Sequence, residues 1–203
     1  MARTGVLGGS FNPVHYGHLL LADEVLESLG LERILFVPAG VPPHKAPADL
    51  APAADRYAMV KLAVASHPRF EVSDLELRRP GPSYTVDTLE ALGRPGEELF
   101  LIVGSETFLD LLTWREPKRI AGLARLTVVP RVGSAFDPAG AAARKIVREI
   151  GQEPLIVRAT SLPIAASDLR RRVAEGRSLA YRLPDAVIAH IRSRGLYRPG
   201  GAA

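Results

Sequence analysis

Apolar residues along this chain fall into two alternating rhythms. Six short runs, at residues 4–7, 33–37, 70–72, 99–103, 126–129 and 155–157, are rich in β-branched side chains, and most are nearly continuous. That is the pattern of strands covered on both faces. Between them, at 19–29, 55–66, 85–92, 106–112 and 137–150, the sequence follows helical patterns. The alternation predicts an α/β fold, a Rossmann-like doubly wound and mainly parallel sheet with right-handed crossovers and helices on both sides. Two segments depart from it. The proline-rich run 38–47 can be neither helix nor central strand, so it is a stiff loop leaving the carboxyl end of the second strand. From Ser167 onward two helices are expected, one over 168–175 stopped by Gly176 and one over 185–194 opened by Pro184. This gives a helical C-terminal end to one domain spanning 1–203, since no repeat or linker divides the chain. Ligands in such sheets sit beyond the carboxyl ends of the strands, which places loop 38–47 over the expected site.

Composition narrows the class. With 203 residues and a hydrophobic fraction of 47%, the chain can bury a proper core. No apolar run approaches the ~20 residues that span a bilayer, and the N-terminus lacks a signal-like pattern. A cytoplasmic protein without membrane contact is expected. The absence of cysteine excludes disulfides, a thiolate nucleophile and cysteine-based zinc sites. The net charge of +4 comes largely from arginines near the C-terminus, Arg170, Arg171, Arg172, Arg177, Arg182, Arg192, Arg194 and Arg198. They could mark a nucleic-acid footprint, or a solvated helix face with one or two arginines reserved for a phosphate. Interleaved apolar residues and the lack of an aromatic stacking platform favour the second, so no nucleic-acid partner is expected. Self-association stays open.

The chemistry concentrates in one run, Gly5-Val6-Leu7-Gly8-Gly9-Ser10-Phe11-Asn12-Pro13-Val14-His15-Tyr16-Gly17-His18. A short strand enters a glycine turn, and two histidines flank a glycine where a helix begins. Gly8 and Gly9 let backbone approach a bulky ligand, and a helix starting near Tyr16 points N–H groups at an anion. Histidine adds a donor that can carry charge near neutral pH. The blander reading is a tight strand–helix turn whose histidines cap the helix. As a metal pair, His15 and His18 lack a third ligand at sensible spacing, so no protein-held metal is expected.

With its flanking turn, this run resembles the H-x-G-H signature of the nucleotidyltransferase superfamily. In the fuller form G-G-S-F-N-P-x-H-x-G-H it is most similar to the nicotinate-nucleotide adenylyltransferases. The resemblance implies that His15 and His18 contact ATP phosphates, with His18 stabilising the pentacoordinate transition state, and that Gly8, Gly9, Ser10 and Phe11 meet the nucleotide. A second segment, Ile164-Ala-Ala-Ser-Asp-Leu-Arg170, is similar to the superfamily's I-S-S-T-x-I-R at a helix start. Ser167 and Arg170 match its Thr and Arg, whereas Ala165 and Ala166 replace two serines. Ser167 suits a helix N-cap, and Arg170 can hold a β- or γ-phosphate bidentately. The bland reading is an ordinary capped helix bearing a surface arginine.

Further segments indicate the second substrate. Pro42-Pro43-His44-Lys45 resembles the family's P-P-H-K/R loop, implying that His44 and Lys45 handle the mononucleotide phosphate and the reaction centre, with Lys45 catalytic; the bland reading is a rigid surface loop whose lysine is merely solvated. Ser83-Tyr84-Thr85-Val86-Asp87-Thr88 matches S-Y-T-x-D-T, implying Thr85 at the mononucleotide, while Ser83 or Thr85 could equally cap a helix. Gly104-Ser105-Glu106 and Trp114-Arg115 resemble the family's G-x-D and W-x segments, which bind ribose and stack near the pyridine ring. Glu106 stands where Asp is usual, and a lone tryptophan such as Trp114 could simply be core. Arg131 is a further phosphate candidate or a surface ion pair. Together the resemblance implies adenylyl transfer from ATP to nicotinate mononucleotide, giving deamido-NAD and pyrophosphate by direct in-line attack. Mg²⁺ would arrive bound to ATP. Two alternatives remain: pantetheine-phosphate adenylyltransferase, which lacks the P-P-H-K and S-Y-T-V-D-T segments, and a non-catalytic ATP-binding regulator.

Overall fold

The structure, a computed structural model, describes residues 1–43, 50–131 and 133–199. Six strands form one sheet in the order β3-β2-β1-β4-β5-β6. They are β1 (Ala2–Gly9), β2 (Arg33–Pro38), β3 (Phe70–Val72), β4 (Glu97–Gly104), β5 (Arg125–Val129) and β6 (Leu155–Ile156). All six expected strands are present, and the sheet is parallel and flanked by helices. Its registers include Val6 opposite Leu101, Gly104 opposite Val129 and Val128 opposite Ile156. The order places the first strand in the centre, the arrangement of Rossmann-like sheets.

Among the described residues the helices are α1 (Tyr16–Ser28), α2 (Ala53–Val64), α3 (Leu75–Arg78), α4 (Thr85–Leu92), α5 (Ser105–Leu109), α6 (Pro117–Leu123), α7 (Ala141–Ile150), α8 (Ala166–Ala174) and α9 (Asp185–Ser193). Three details differ from the sequence pattern. The four-residue α3 is too short to carry a periodicity. Helix α6 begins at a proline in the first helical position, behind Glu116 in a left-handed conformation with φ of 52°. Helix α7 starts at Ala141 rather than near 137. There the Asp137 carboxylate accepts the Ala139 N–H at 2.9 Å and its carbonyl accepts the Gly140 N–H at 3.0 Å. A short polar side chain has drawn the backbone into a turn before the helix can begin.

The chain forms two compact units, each assembled from separated stretches. The first comprises Met1–Gly8, Leu21–Leu35 and Tyr84–Ser161. Its core is built from the buried runs of β1, β4 and β5. Gly5 is tightly packed there: a Cβ would lie 2.4 Å from Ile34 Cδ1 and about 3 Å from Leu31 and Ile102. At the start of these strands the Glu97 carboxylate accepts the Thr4 hydroxyl at 2.7 Å and pairs with Arg33 at 2.7 Å. These partners, the Thr4 hydrogen bond foremost, hold the Glu97 carboxyl below the usual carboxylate range.

The second unit comprises Gly9–Leu20, Phe36–Ser83 and Leu162–Ala203. In it α9 docks on α2 through Asp55, a covered carboxylate that meets His190 Nε2 and Arg194 Nε at 3.0 Å each. Beside it Arg56 is 1% exposed. Its guanidinium donates from Nε to Ala51 O, from one terminal nitrogen to Ser10 O and from the other to Gly40 O, at 2.9, 2.9 and 3.0 Å. Burial lowers its affinity for the proton, and the three carbonyls compensate the buried charge.

Candidate active site

In the second unit the glycine turn leads directly to the two histidines. Gly9 packs on the Phe11 ring, where a Cβ would sit 3.3 Å from Cζ. Phe11 is buried with φ of 44°, and its ring meets His18 edge-on at 5.1 Å. The His15 and His18 rings lie 3.8 Å apart, tilted by 30°. The His15 N–H donates to His18 Nδ1 at 3.2 Å, so the neutral His18 imidazole carries its proton on Nε2, where it can be donated to an oxyanion. The His15 carbonyl accepts the N–H groups of His18 and Leu19, making His15 itself the cap of α1. The intervening glycine has a steric reason, because a Cβ on Gly17 would lie 3.0 Å from His15 Nδ1.

The first turn of α1 offers less to an anion than its sequence suggests. The Tyr16 N–H is taken by Arg182 O at 3.1 Å, and that of His18 by His15 O. Positive charge comes instead from Arg170, which donates to Asn12 O at 2.9 Å. A residue distant in sequence is thereby tethered to the turn ahead of His15. Asn12 is buried, and its side-chain Oδ1 accepts from Ala51 N at 3.0 Å and from the Tyr197 hydroxyl at 2.9 Å. Ser167 is not the cap of α8: the helix begins at Ala166 behind Ala165, with no side-chain cap. The hydroxyl therefore sits within the first turn, past the cap position expected for it. The start of loop 38–47 is held beside the glycine turn, since Ala39 N donates to Gly9 O at 2.9 Å and Arg56 joins Ser10 to Gly40. His44 and Lys45 lie outside the described residues.

The first unit carries the other candidates at the carboxyl ends of its parallel strands. Gly8 is exposed near the end of β1. Gly104 ends β4, and Ser105 and Glu106 open α5. Glu106 and Arg131 face each other at 3.6 Å across an exposed gap, so two candidates from adjacent strands form one pair. Arg115 lies 4.9 Å from the centre of the Tyr84 ring and 3.7 Å from Asp87. This brings the Trp114-Arg115 segment onto the Tyr84-Thr85 run at the start of α4. Trp114 is half-buried and outside the buried core, which disfavours the core reading of the lone tryptophan. Neither Ser83 nor Thr85 caps α4: the cap position is Tyr84, without a side-chain bond. In the second unit the Ser83 hydroxyl accepts instead from Gly40 N at 3.0 Å and Val41 N at 3.2 Å, tying down the loop after β2. Among the described residues no group of three His, Cys, Asp or Glu side chains could hold a metal ion.

Comparison with known proteins identifies the family and the fold. The profile of the cytidylyltransferase-like family matches residues 6–172. A protein from Roseiflexus sp. strain RS-1, named "Probable nicotinate-nucleotide adenylyltransferase", is 46% identical over 97% of this chain and 98% of its own. A protein of the same name from Thermus thermophilus is 48% identical over 97% of this chain and 100% of its own. The chain belongs to the nicotinate-nucleotide adenylyltransferases. In fold it matches the Plasmodium falciparum nicotinic acid mononucleotide adenylyltransferase solved with NaAD. The TM-score is 0.79 at 18% identity, covering 97% of this chain and 98% of the other.

For this nicotinate-nucleotide adenylyltransferase the sequence motifs nominate candidate ligand-facing groups but miss the residues that hold those candidates in place. The anchoring roles of Asn12, Arg56, Ser83 and Tyr197 emerge only from the structure. One of them has a sequence signal: Arg56 lies in phase with Met59, Val60 and Ala63 on the buried stripe of α2. A charge at a core position asks for an internal partner. Tyr197 has none, because nothing local connects it to Asn12.

Proposed function

We propose that this chain joins ATP and nicotinate mononucleotide, releasing pyrophosphate and leaving deamido-NAD. The observation that carries the reading is the close, tilted His15–His18 pair whose preceding turn is bound by Arg170, in a chain nearly half identical to curated family members throughout its length. A phosphate oxygen of the mononucleotide attacks the α-phosphorus of ATP, the bond from that phosphorus to the β-bridging oxygen breaks, and pyrophosphate leaves with the electron pair. Such transfers need alignment and charge neutralisation more than covalent chemistry. His18 Nε2 donates to the α-phosphate as charge accumulates there, with His15 beside it. Arg170 holds the outer phosphates, with Ser167 in the same helix turn. Gly8, Gly9, Ser10 and Phe11 meet the nucleotide, and Glu106 with Arg131 form its ribose and phosphate edge.

The mononucleotide takes Ser10, His44, Lys45, Thr85, Trp114 and Arg115. Arg115 packed on Tyr84 supports that grouping. Mg²⁺ enters with the ATP phosphates as part of the substrate. The α8 arginines engage Asp168, Glu175 and Ser178 O, which supports a small-molecule enzyme over a nucleic-acid binder. The reading places the chain in the cytoplasm, where its donor ATP is found. A pyrophosphate-release assay with nicotinate mononucleotide, nicotinamide mononucleotide and phosphopantetheine tests it. Turnover is expected with a pyridine mononucleotide, and preference for phosphopantetheine overturns the assignment.

A further inference from the structure

We propose that Tyr197 is a positioning residue for adenylyl transfer, its hydroxyl fixing Asn12 and through it both the turn ahead of His15 and the guanidinium of Arg170. The inference rests on the function proposed above. Asn12 is where three remote segments meet. Its side-chain oxygen accepts from Ala51 N–H and from Tyr197 O–H, while its carbonyl accepts from Arg170. Asn12 is 3% exposed, so little water is at hand to replace a lost donor. Within the turn, Asn12 is three residues from His15 and six from His18. A shift of this residue therefore moves the histidine pair and the arginine together.

Tyr197 itself is held firmly. Its backbone adopts φ of 64°, a conformation that tyrosine rarely takes, two residues after Gly195 at φ of 63°. That cost persists only where the surroundings over-determine the residue. Burial pushes the phenol's pKa well above its ordinary value, so the hydroxyl stays protonated across the working pH range and acts as a permanent donor to Asn12. Arg170 and Arg56 both lie close enough to act electrostatically on it. A residue at the far end of the chain thus closes the network around the reacting groups, without needing to touch substrate.

Tyr197→Phe removes one oxygen and keeps the ring. We expect kcat/KM for ATP to fall about five- to tenfold, the scale of one buried hydrogen bond, with KM for nicotinate mononucleotide nearly unchanged. Combined with Arg170→Lys, the second substitution should add little, because both loosen one network. Tyr181→Phe, which alters a tyrosine 95% exposed, serves as the inert control. An unchanged kcat/KM in Tyr197→Phe overturns the proposal, as does strict additivity with Arg170→Lys. The His15 and His18 ring resonances provide a readout independent of turnover: Tyr197→Phe should shift them, and unshifted resonances overturn the proposal. If the unaltered chain makes no deamido-NAD, the functional reading fails, while these resonances still decide whether Tyr197 positions the turn.

Discussion

Replacing Arg56 by lysine tests whether a buried charge holds the site loops together. The native guanidinium is 1% exposed and makes three hydrogen bonds, to Ala51, Ser10 and Gly40. An ammonium on a shorter reach keeps the charge but cannot match the planar fork. It can satisfy one of the three carbonyls and leaves two without their donor. Hydrogen bonds to charged groups contribute about 1.5–3 kcal/mol each, so two lost bonds, partly relieved by local rearrangement, give a net loss of about 3–4 kcal/mol. For a chain of this size, that corresponds to a fall in Tm of roughly 6–16 °C at ~2–4 °C per kcal/mol. Urea unfolding followed by far-UV circular dichroism, with the m-value checked for constancy, measures it directly. A loss below ~1 kcal/mol would refute the reasoning. So would an Arg56→Met variant as stable as the native chain, because the bonds would then only offset the cost of burying the charge.

Four further substitutions have defined expected outcomes. Gly40→Ala should destabilise by about 3 kcal/mol, since its Cβ would lie 2.3 Å from the Glu76 carbonyl oxygen, part of a backbone that cannot swing aside. Gly5→Ala should cost less, about 1–2 kcal/mol, because its closest clash at 2.4 Å is with the terminal Cδ1 of Ile34; thermal melts showing the reverse order would contradict this. His18→Ala should lower kcat by roughly 10²–10³-fold with a native melting curve, and near-normal pyrophosphate release would remove His18 from its role. Because Thr4 and Arg33 depress the folded-state pKa of Glu97, its contribution is present above the unfolded value and is lost as pH falls through the folded one. Stability measured at neutral pH and below about pH 4 should therefore differ less in Glu97→Gln than in the native chain.

How far the sequence could be read depended on the range of the interactions. Strand positions were legible because a strand covered on both faces must be apolar at consecutive residues, as 99–103 and 126–129 are. The boundary of α7 was not, because a single carboxylate at Asp137 redirects the backbone over three residues. The histidine motif was legible for a similar reason. His15, Gly17 and His18 act on one another within one helical turn, and the glycine is needed by its immediate neighbour. Ser83 shows the opposite case. Its sequence context suggested a cap, yet its hydroxyl accepts N–H groups from Gly40 and Val41, more than forty residues earlier.

By itself, then, the sequence determined the alternating strands and helices, the glycine turn and the identities of the groups able to donate to phosphate. Those properties arise from periodicity and from residues a few positions apart. Only the tertiary structure decided how these groups are held. Asn12 gathers Ala51, Arg170 and Tyr197, and Arg56 joins the Ser10 turn to the loop at Gly40. The reason is physical: a buried hydrogen bond is specified by where two atoms meet in space, and that depends on the whole path of the chain between them.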